Sequence, residues 1–445
     1  MFAMMGVGGS GFHLGGATDV TAGSIGVSAS GRAVDSEPIS LAQRERLMLW
    51  QHGESCLDQP TYAWVFAVEV GQEVVRDAWT TVLSRFANLR TSFFVDSDET
   101  LTRRHLDTPA VVDQAFVSTD SDLFFTELCR PLSVLGGVLT RMVHAVDSGE
   151  TMIGICFDHL VIDGHTVGMI LTEFWGLLCG EMPRTPPPTS DAPFVARELA
   201  AAASPQVERD LDHWREKAGG LTYPPPFMGV SRNSAKSAMP ETAFCEVDLS
   251  GLAARGRARM SRASALLSTL TVSLVRTLGS DERHFTTLTQ GTRRTNRSEL
   301  KMAGFLSTWL LARVPVDTSA ARGMDQSASA LMDAMTAYSV HHAEVVRRLE
   351  PHLYGARYRA TENLPPYSLF NYQVEPVLPR LSSVEGRKLV VPPVAGNILH
   401  GGLRVYGNEH PDAETVTVRV VADASVFGPG FADAVAADLP VAALS

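Results

Sequence analysis

Cysteine is scarce and scattered in this chain: Cys56, Cys129, Cys156, Cys179 and Cys245 are far apart and odd in number, with no metal-ligand spacing among them. That argues against a disulfide scaffold and a cysteine-built zinc site, and it points to a reduced, cytoplasmic compartment. Positive charge is also short, with 38 Lys and Arg against 49 Asp and Glu and a net charge of −11. General nucleic-acid binding needs a basic footprint, so any acidic partner has to meet a local basic patch. No apolar run approaches the length of about 18 residues that a membrane span requires. Residues 1–35 are rich in Gly, Ser, Ala and Val but lack the basic start and continuous apolar centre of a secretory signal, and they read as a flexible leader. Missing too are a GxSxG elbow, an HExxH pair and a phosphate-cradling glycine loop.

What is present is a long chain of mixed periodicity. At 445 residues it exceeds one ordinary core, so two domains are expected. Ser40 with Gln43 forms a capping-box pattern that opens a helix. Strand-like runs at 63–70, 91–95, 139–157, 243–247, 285–289, 367–374, 389–391, 403–406 and 415–422 interleave with helical periodicity at 75–86, 164–180, 210–217, 264–278, 324–349 and 429–438. Asp147-Ser148-Gly149-Glu150 is a hairpin turn cluster. The proline-rich stretch 183–193 is the best linker candidate. The expected fold class is α/β in two layered domains: a leader 1–35, an N-terminal lobe 36–185, a linker 186–205 and a C-terminal lobe 206–445.

The stretch richest in chemistry is Asp158-His159-Leu160-Val161-Ile162-Asp163-Gly164, which follows an apolar strand and leads into an amphipathic helix. A histidine at a strand end, followed by an Asp-Gly turn, is either a satisfied core residue or a ring facing a cavity. In the second case it removes a proton from an incoming amine or hydroxyl, because imidazole titrates near neutral pH. His165, beside Gly164, either lines an acceptor path or is a solvated first-turn residue. His341-His342 lies on a predicted helix, where adjacent side chains diverge by about 100° and do not share one metal in the usual way. Arg293, Arg294, Arg297 and Lys301 form either a patch for an acidic partner or a solvated face.

Several segments together resemble a freestanding condensation domain of the nonribosomal peptide synthetase type, within the chloramphenicol acetyltransferase-like superfamily. Ser40-Leu41-Ala42-Gln43 and the 47–50 segment resemble the family's opening motif, and Arg85-Phe86-Ala87-Asn88-Leu89-Arg90-Thr91-Ser92-Phe93 its RHExLRTxF motif. Residues 158–164 match the HHxxxDG core in all but the first position. Fainter echoes are Gly304-Phe305-Leu306-Ser307-Thr308, His341-His342-Ala343-Glu344 and Phe370-Asn371-Tyr372-Gln373, so the resemblance runs from about residue 38 to 440. The DFGWG signature of plant-type members is missing.

The resemblance implies two acetyltransferase-like lobes in a V-shaped arrangement with a central tunnel. It implies an acyl donor on the phosphopantetheine of a carrier protein, an amine or alcohol acceptor and no permanently bound cofactor, with a coenzyme A-dependent acyltransferase and a catalytically silent recruitment module as the alternatives; charge, hydropathy and residue spacing already speak against nucleic acid, membrane and metal. His159 is then the proton acceptor, Asp163 holds the loop through Arg90 or Arg294, and Gly164 permits close backbone approach with its N–H facing a developing oxyanion. Asp158 and Ser307 support the site; His165, Thr308, Asn371 and Gln373 line the tunnel. Two departures bear on this. Asp158 stands where the family has a first histidine, and strand alternation turns it away from the face His159 presents. Asp158, Asp163 and Thr166 also approach the DxxxxDxxS pattern of ring-forming heterocyclization relatives, which lack the histidine.

Overall fold

The 415–422 stretch shows how sequence pattern becomes architecture here. Val416, Val418, Val420 and Ala422 are fully buried while the residues between them are not, the period of two that a strand with one covered face demands. In the computed structural model, which describes residues 36–51, 59–95, 101–183, 185–218, 240–254, 261–336, 340–349, 367–374, 379–381, 384–391, 402–409 and 414–445, this strand belongs to a six-stranded sheet. Its order is Ser307–Pro315, His284–Thr292, Tyr367–Val374, Gly402–Glu409, Thr415–Ala422, Glu241–Asp248, antiparallel except where 367–374 pairs with 284–292 and 402–409. Helices Ser261–Leu278, Ala320–Thr336 and Phe431–Ala443 bury their apolar faces on one side. Helices Gln206–Ala218 and His342–Leu349 cover the other, around Leu211, Trp214, Leu288, Leu311 and Val345.

The N-terminal half has its own five-stranded sheet, in the order Arg387–Lys388, Thr61–Phe66, Glu150–Phe157, Thr140–Asp147, Phe116–Ser118. The 140–157 hairpin turns through Ser148 at φ 52° and Gly149 at φ 84°, the paired left-handed residues that match strand twist. Helices Gln72–Arg85 and Gly164–Leu178 pack on this sheet around Trp79, Phe157 and Phe174. The strand 387–388 comes from the C-terminal half, so the two halves share a sheet. A three-stranded sheet of 37–38, 101–105 and 91–95 completes the N-terminal side.

The other expected strands and helices are present with shifted ends and the 324–349 region is two helices, but 389–391 is not a strand: the short strand ends at Lys388, and beyond it Leu389 N–H donates a hydrogen bond to Ala63 O. The stretch 186–205 is not a bare linker: it carries helix Ala192–Ala202, entered through Pro193 in its first turn. Proline fits there because the first helical amides have no intrahelical acceptor to lose. The leader 1–35 and the side chains of residues 48–50 lie outside the described residues. Among the described residues no helix is long and apolar enough to cross a membrane.

Candidate active site

Strand 150–157 delivers the chain to the 158–163 turn, whose polar groups are gripped from several directions. Asp158 N–H donates to Leu139 O at 2.9 Å, and Asp158 Oδ1 accepts from Leu160 N–H at 2.9 Å. Gln43 Nε2 donates to Leu160 O at 2.9 Å and Asn88 Nδ2 to Val161 O at 2.7 Å. Gln43 is available because the capping box is complete: its N–H donates to Ser40 Oγ and its Oε1 accepts from Ser40 N–H.

Within this frame His159 is half-buried, with Nδ1 3.2 Å from Ile162 O. A carbonyl only accepts, so this bond places the proton on Nδ1 and leaves the Nε2 lone pair as the acceptor. The Phe305 ring, from the C-terminal half, lies 5.6 Å from the imidazole centroid to centroid.

Asp163 is buried and caps the 164–178 helix by accepting from Thr166 N–H at 3.0 Å. Its Oδ2 accepts from Arg294 Nη1 at 2.6 Å and from Leu306 N–H at 2.9 Å. Arg294 Nη2 also reaches Thr166 Oγ1 and Met302 O, and Thr166 Oγ1 accepts from Gly304 N–H. This knot ties the helix after His159 to the 302–306 segment that carries Phe305. Gly304, at φ 151° with Asp191 Oδ2 3.0 Å from where a Cβ would stand, is a position that favours glycine.

Of the two arginines considered for Asp163, the structure places Arg294 there. Arg90 is engaged elsewhere: its guanidinium donates to Leu83 O at 2.9 Å and Leu106 O at 2.6 Å, so it braces the end of the 72–85 helix. Gly164 is exposed, and apart from its chain neighbours and its own helix backbone no atom of the described residues lies within 4 Å of where a Cβ would sit. Close approach by backbone from elsewhere in the described chain is therefore not what this glycine serves. As the first residue of its helix, it has an N–H without an intrahelical acceptor.

His165 is exposed and donates through Nε2 to Leu300 O at 2.9 Å. Ser307 Oγ accepts from Gln290 Nε2 at 3.0 Å, and Gln290 Oε1 accepts from Asn371 Nδ2 at 3.0 Å, a polar row across three strands. Gln373 lies two residues further along the same strand and is exposed. Thr308 is buried and accepts from His342 N–H at 3.1 Å. Asp158 is buried 3.5 Å from Arg46 Nε.

The basic patch is smaller than its sequence spacing implies. Arg294 is consumed by Asp163, and Arg293 is buried in an ion pair with Glu198, leaving Arg297 and Lys301 exposed. His341 and His342 do converge, but on a carboxylate: their Nδ1 atoms lie 3.8 and 3.0 Å from Glu45. Burial pushes the His341 imidazole down to about 3, against the pull of Glu45 and with Arg293 and His342 adding to the fall. Among the described residues no group of three or more His, Cys, Asp or Glu is gathered to hold a metal ion.

Four contributors carry no site role in the sequence pattern: Asn88, Phe305 and Gln290, and Gln43, whose pattern shows only the capping box. Gln43, Asn88 and Phe305 lie inside segments already singled out, but their contacts are long-range, and a side chain's partner 73 or 117 residues away leaves no local signal.

No family model matches the chain. It is 27% identical over 203 residues to a component of the linear gramicidin synthase of Brevibacillus parabrevis, covering 41% of this chain and 3% of that protein. The chain thus spans a small part of that relative's length. Among solved structures it superposes on the condensation domain of the monacolin K polyketide synthase MokA with a TM-score of 0.73 at 17% identity, covering 93% of this chain and 98% of that one. It superposes equally on a variant of the starter condensation domain of rhizomide synthetase, in complex with C8-CoA and Leu-SNAC, at TM-score 0.72 and 15% identity over 92% and 95% of the two chains. The chain has the condensation-domain fold.

Proposed function

We propose that the chain is a condensing acyltransferase that joins a carrier-tethered acyl thioester to an amine or alcohol acceptor, forming an amide or ester in specialised metabolism. The observation that carries this reading is His159, held on a fully braced turn with Nδ1 donated to Ile162 O and Nε2 free to accept a proton. The acceptor's N–H or O–H loses its proton to Nε2 as the heteroatom attacks the thioester carbonyl. The C–N or C–O bond forms, the C–S bond breaks, and the proton passes to the departing sulfur. A positioned base of this kind contributes roughly 10²- to 10⁴-fold, and the remainder comes from holding the two reactants end to end in a tunnel between the halves. The Gly164 N–H, on an exposed residue at the first position of its helix and so without an intrahelical acceptor, is suited to donate to the oxyanion. Asp163 and Arg294 act at one remove, by fixing helix 164–178 against the segment that carries Phe305.

In this reading the donor arrives on the phosphopantetheine of a carrier protein, with Arg297 and Lys301 as the exposed cations of the four-residue basic cluster. Coenzyme A thioesters are the second reading, favoured by the rhizomide starter domain that holds C8-CoA. Ring-forming chemistry through Asp158 is disfavoured, since that carboxylate is 1% exposed and already engaged by Arg46 and Leu160 N–H. Incubating acyl-loaded carrier protein or acyl-coenzyme A with the chain and a panel of amines and alcohols separates the readings. Transfer from the carrier supports the first, transfer only from coenzyme A the second, and no transfer from either contradicts both.

A further inference from the structure

The carboxylate beside His159 is built into an arrangement larger than burial alone requires. Asp158 Oδ1 accepts the Leu160 amide at 2.9 Å and stands 3.5 Å from Arg46 Nε, while Gln59 Nε2 approaches Oδ2 at 3.5 Å. Arg46 is itself 8% exposed. A charge pair this deep replaces water with fixed partners and gains little net stability, so its presence calls for a purpose other than stability. Arg46 lies on helix Leu41–Gln51, three residues from Gln43 and so on the same face. One rigid helix therefore grips Leu160 twice: at its carbonyl directly through Gln43, and at its amide through the Arg46–Asp158 pair. Leu160 lies between His159 and Ile162, the two ends of the bond that sets the imidazole's proton. A peptide pinned on both sides fixes where the Ile162 carbonyl stands relative to the ring.

We infer that Arg46, acting through Asp158, is a positioning residue for His159: the pair sets the 158–162 turn so that Nδ1 stays protonated and Nε2 stays the acceptor. This rests on the reading of His159 as the proton acceptor, but it concerns the ring's state and is measurable without a substrate.

The test compares wild type with Arg46→Met, Arg46→Lys and the double variant Arg46→Met/Asp158→Asn, the last removing both charges so that none is left buried alone. The first readout is the ¹⁵N spectrum of ring-labelled histidine, with His159 assigned by difference against His159→Gln. Wild type and Arg46→Lys are expected to show the Nδ1-protonated tautomer, and the double variant a mixture. An unchanged tautomer in a folded double variant overturns the inference, whatever the enzyme's substrate proves to be. With an active substrate in hand, the second readout is the split of the kinetic constants. The double variant should lose about 10- to 100-fold in kcat, the scale expected for misplacing a reacting group by about 1 Å, with KM changed less than about twofold. Arg46→Lys should recover most of that loss. Wild-type kcat in the double variant overturns the inference even where the thermal midpoint has moved, and lost transfer in His159→Gln with unchanged transfer in the double variant separates failure of the positioning claim from failure of the functional reading.

Discussion

The Asp163–Arg294 pair carries more of the site's geometry than any other single contact. Both side chains are nearly inaccessible, at 3% and 0%, and the guanidinium also serves Thr166 and Met302. Breaking a buried pair strands the other charge, so Arg294→Met and Asp163→Asn should each cost about 3–5 kcal/mol of stability; an Asn that keeps the cap to Thr166 turns its NH2 towards the Arg294 guanidinium and the Leu306 N–H and so does not replace the carboxylate. Urea denaturation of both variants checks this, and a wild-type midpoint in either contradicts it. At this scale the Asp-Gly turn and its histidine were legible in the sequence, because they are local. The arginine was not: Arg90 and Arg294 fit the requirement for a counter-charge equally well, and Arg294 lies 131 residues from its partner. The cluster of four basic residues looks larger in sequence than in space for the same reason. Sequence spacing records charge but not whether a carboxylate such as Glu198 has already claimed it.

Helices and strands were legible where periodicity is strong and blurred where composition misleads. The 164–178 helix buries Val167, Ile170, Leu171 and Phe174 as their spacing in the sequence implies, with Trp175 beside them, while Met169, Leu177 and Leu178 of the same apolar pattern are only partly buried. Helix 192–202 was hidden by the prolines before it, although its own residues are strong helix formers and Glu198 anchors it by accepting from Leu41 N–H at 2.7 Å. The strand 150–157 supports a sharper expectation. An added Cβ at Gly154 would stand 2.7 Å from Leu128 Cδ2 and 2.9 Å from Phe124 Cζ, inside a packed cluster. Gly154→Ala should therefore destabilise by about 1–3 kcal/mol through overpacking. Because the strand leads directly to His159, turnover should fall with it at temperatures near the new midpoint. A thermal melt unchanged from wild type contradicts this packing account.

Across the whole molecule, the two halves are joined by buried polar contacts as well as by the shared sheet: Asp163 with Arg294, Glu198 with Arg293, and Glu45 with His341 and His342. The last makes stability depend on pH with a definite sign. His341 stays neutral in the folded chain down to about 3 because of its burial, while an unfolded histidine protonates near 6.5. Below about 6.5 the unfolded chain binds a proton that the folded chain does not, so stability present at neutral pH is lost as pH falls towards 3, by about 1.4 kcal/mol per pH unit for one such site. Burial depresses His105 and His144 in the same direction. His341→Gln should flatten the fall in melting temperature between pH 7 and about 5, and an unchanged slope would assign the acid sensitivity to other groups. The α/β class and the interleaving of strands and helices followed from periodicity. The crossing of strand 387–388 into the N-terminal sheet did not, since two residues, Arg387 and Lys388, carry no pattern. The central claim, that this fold joins an acyl group to a nucleophile through His159, is tested most directly by intact-protein mass spectrometry of acyl-loaded carrier protein incubated with amine and alcohol acceptors and either wild type or His159→Ala. The account predicts that the carrier loses its acyl group with matching product only in the presence of wild type. Equal unloading and product formation by the His159→Ala variant, confirmed folded by its melt, would contradict it.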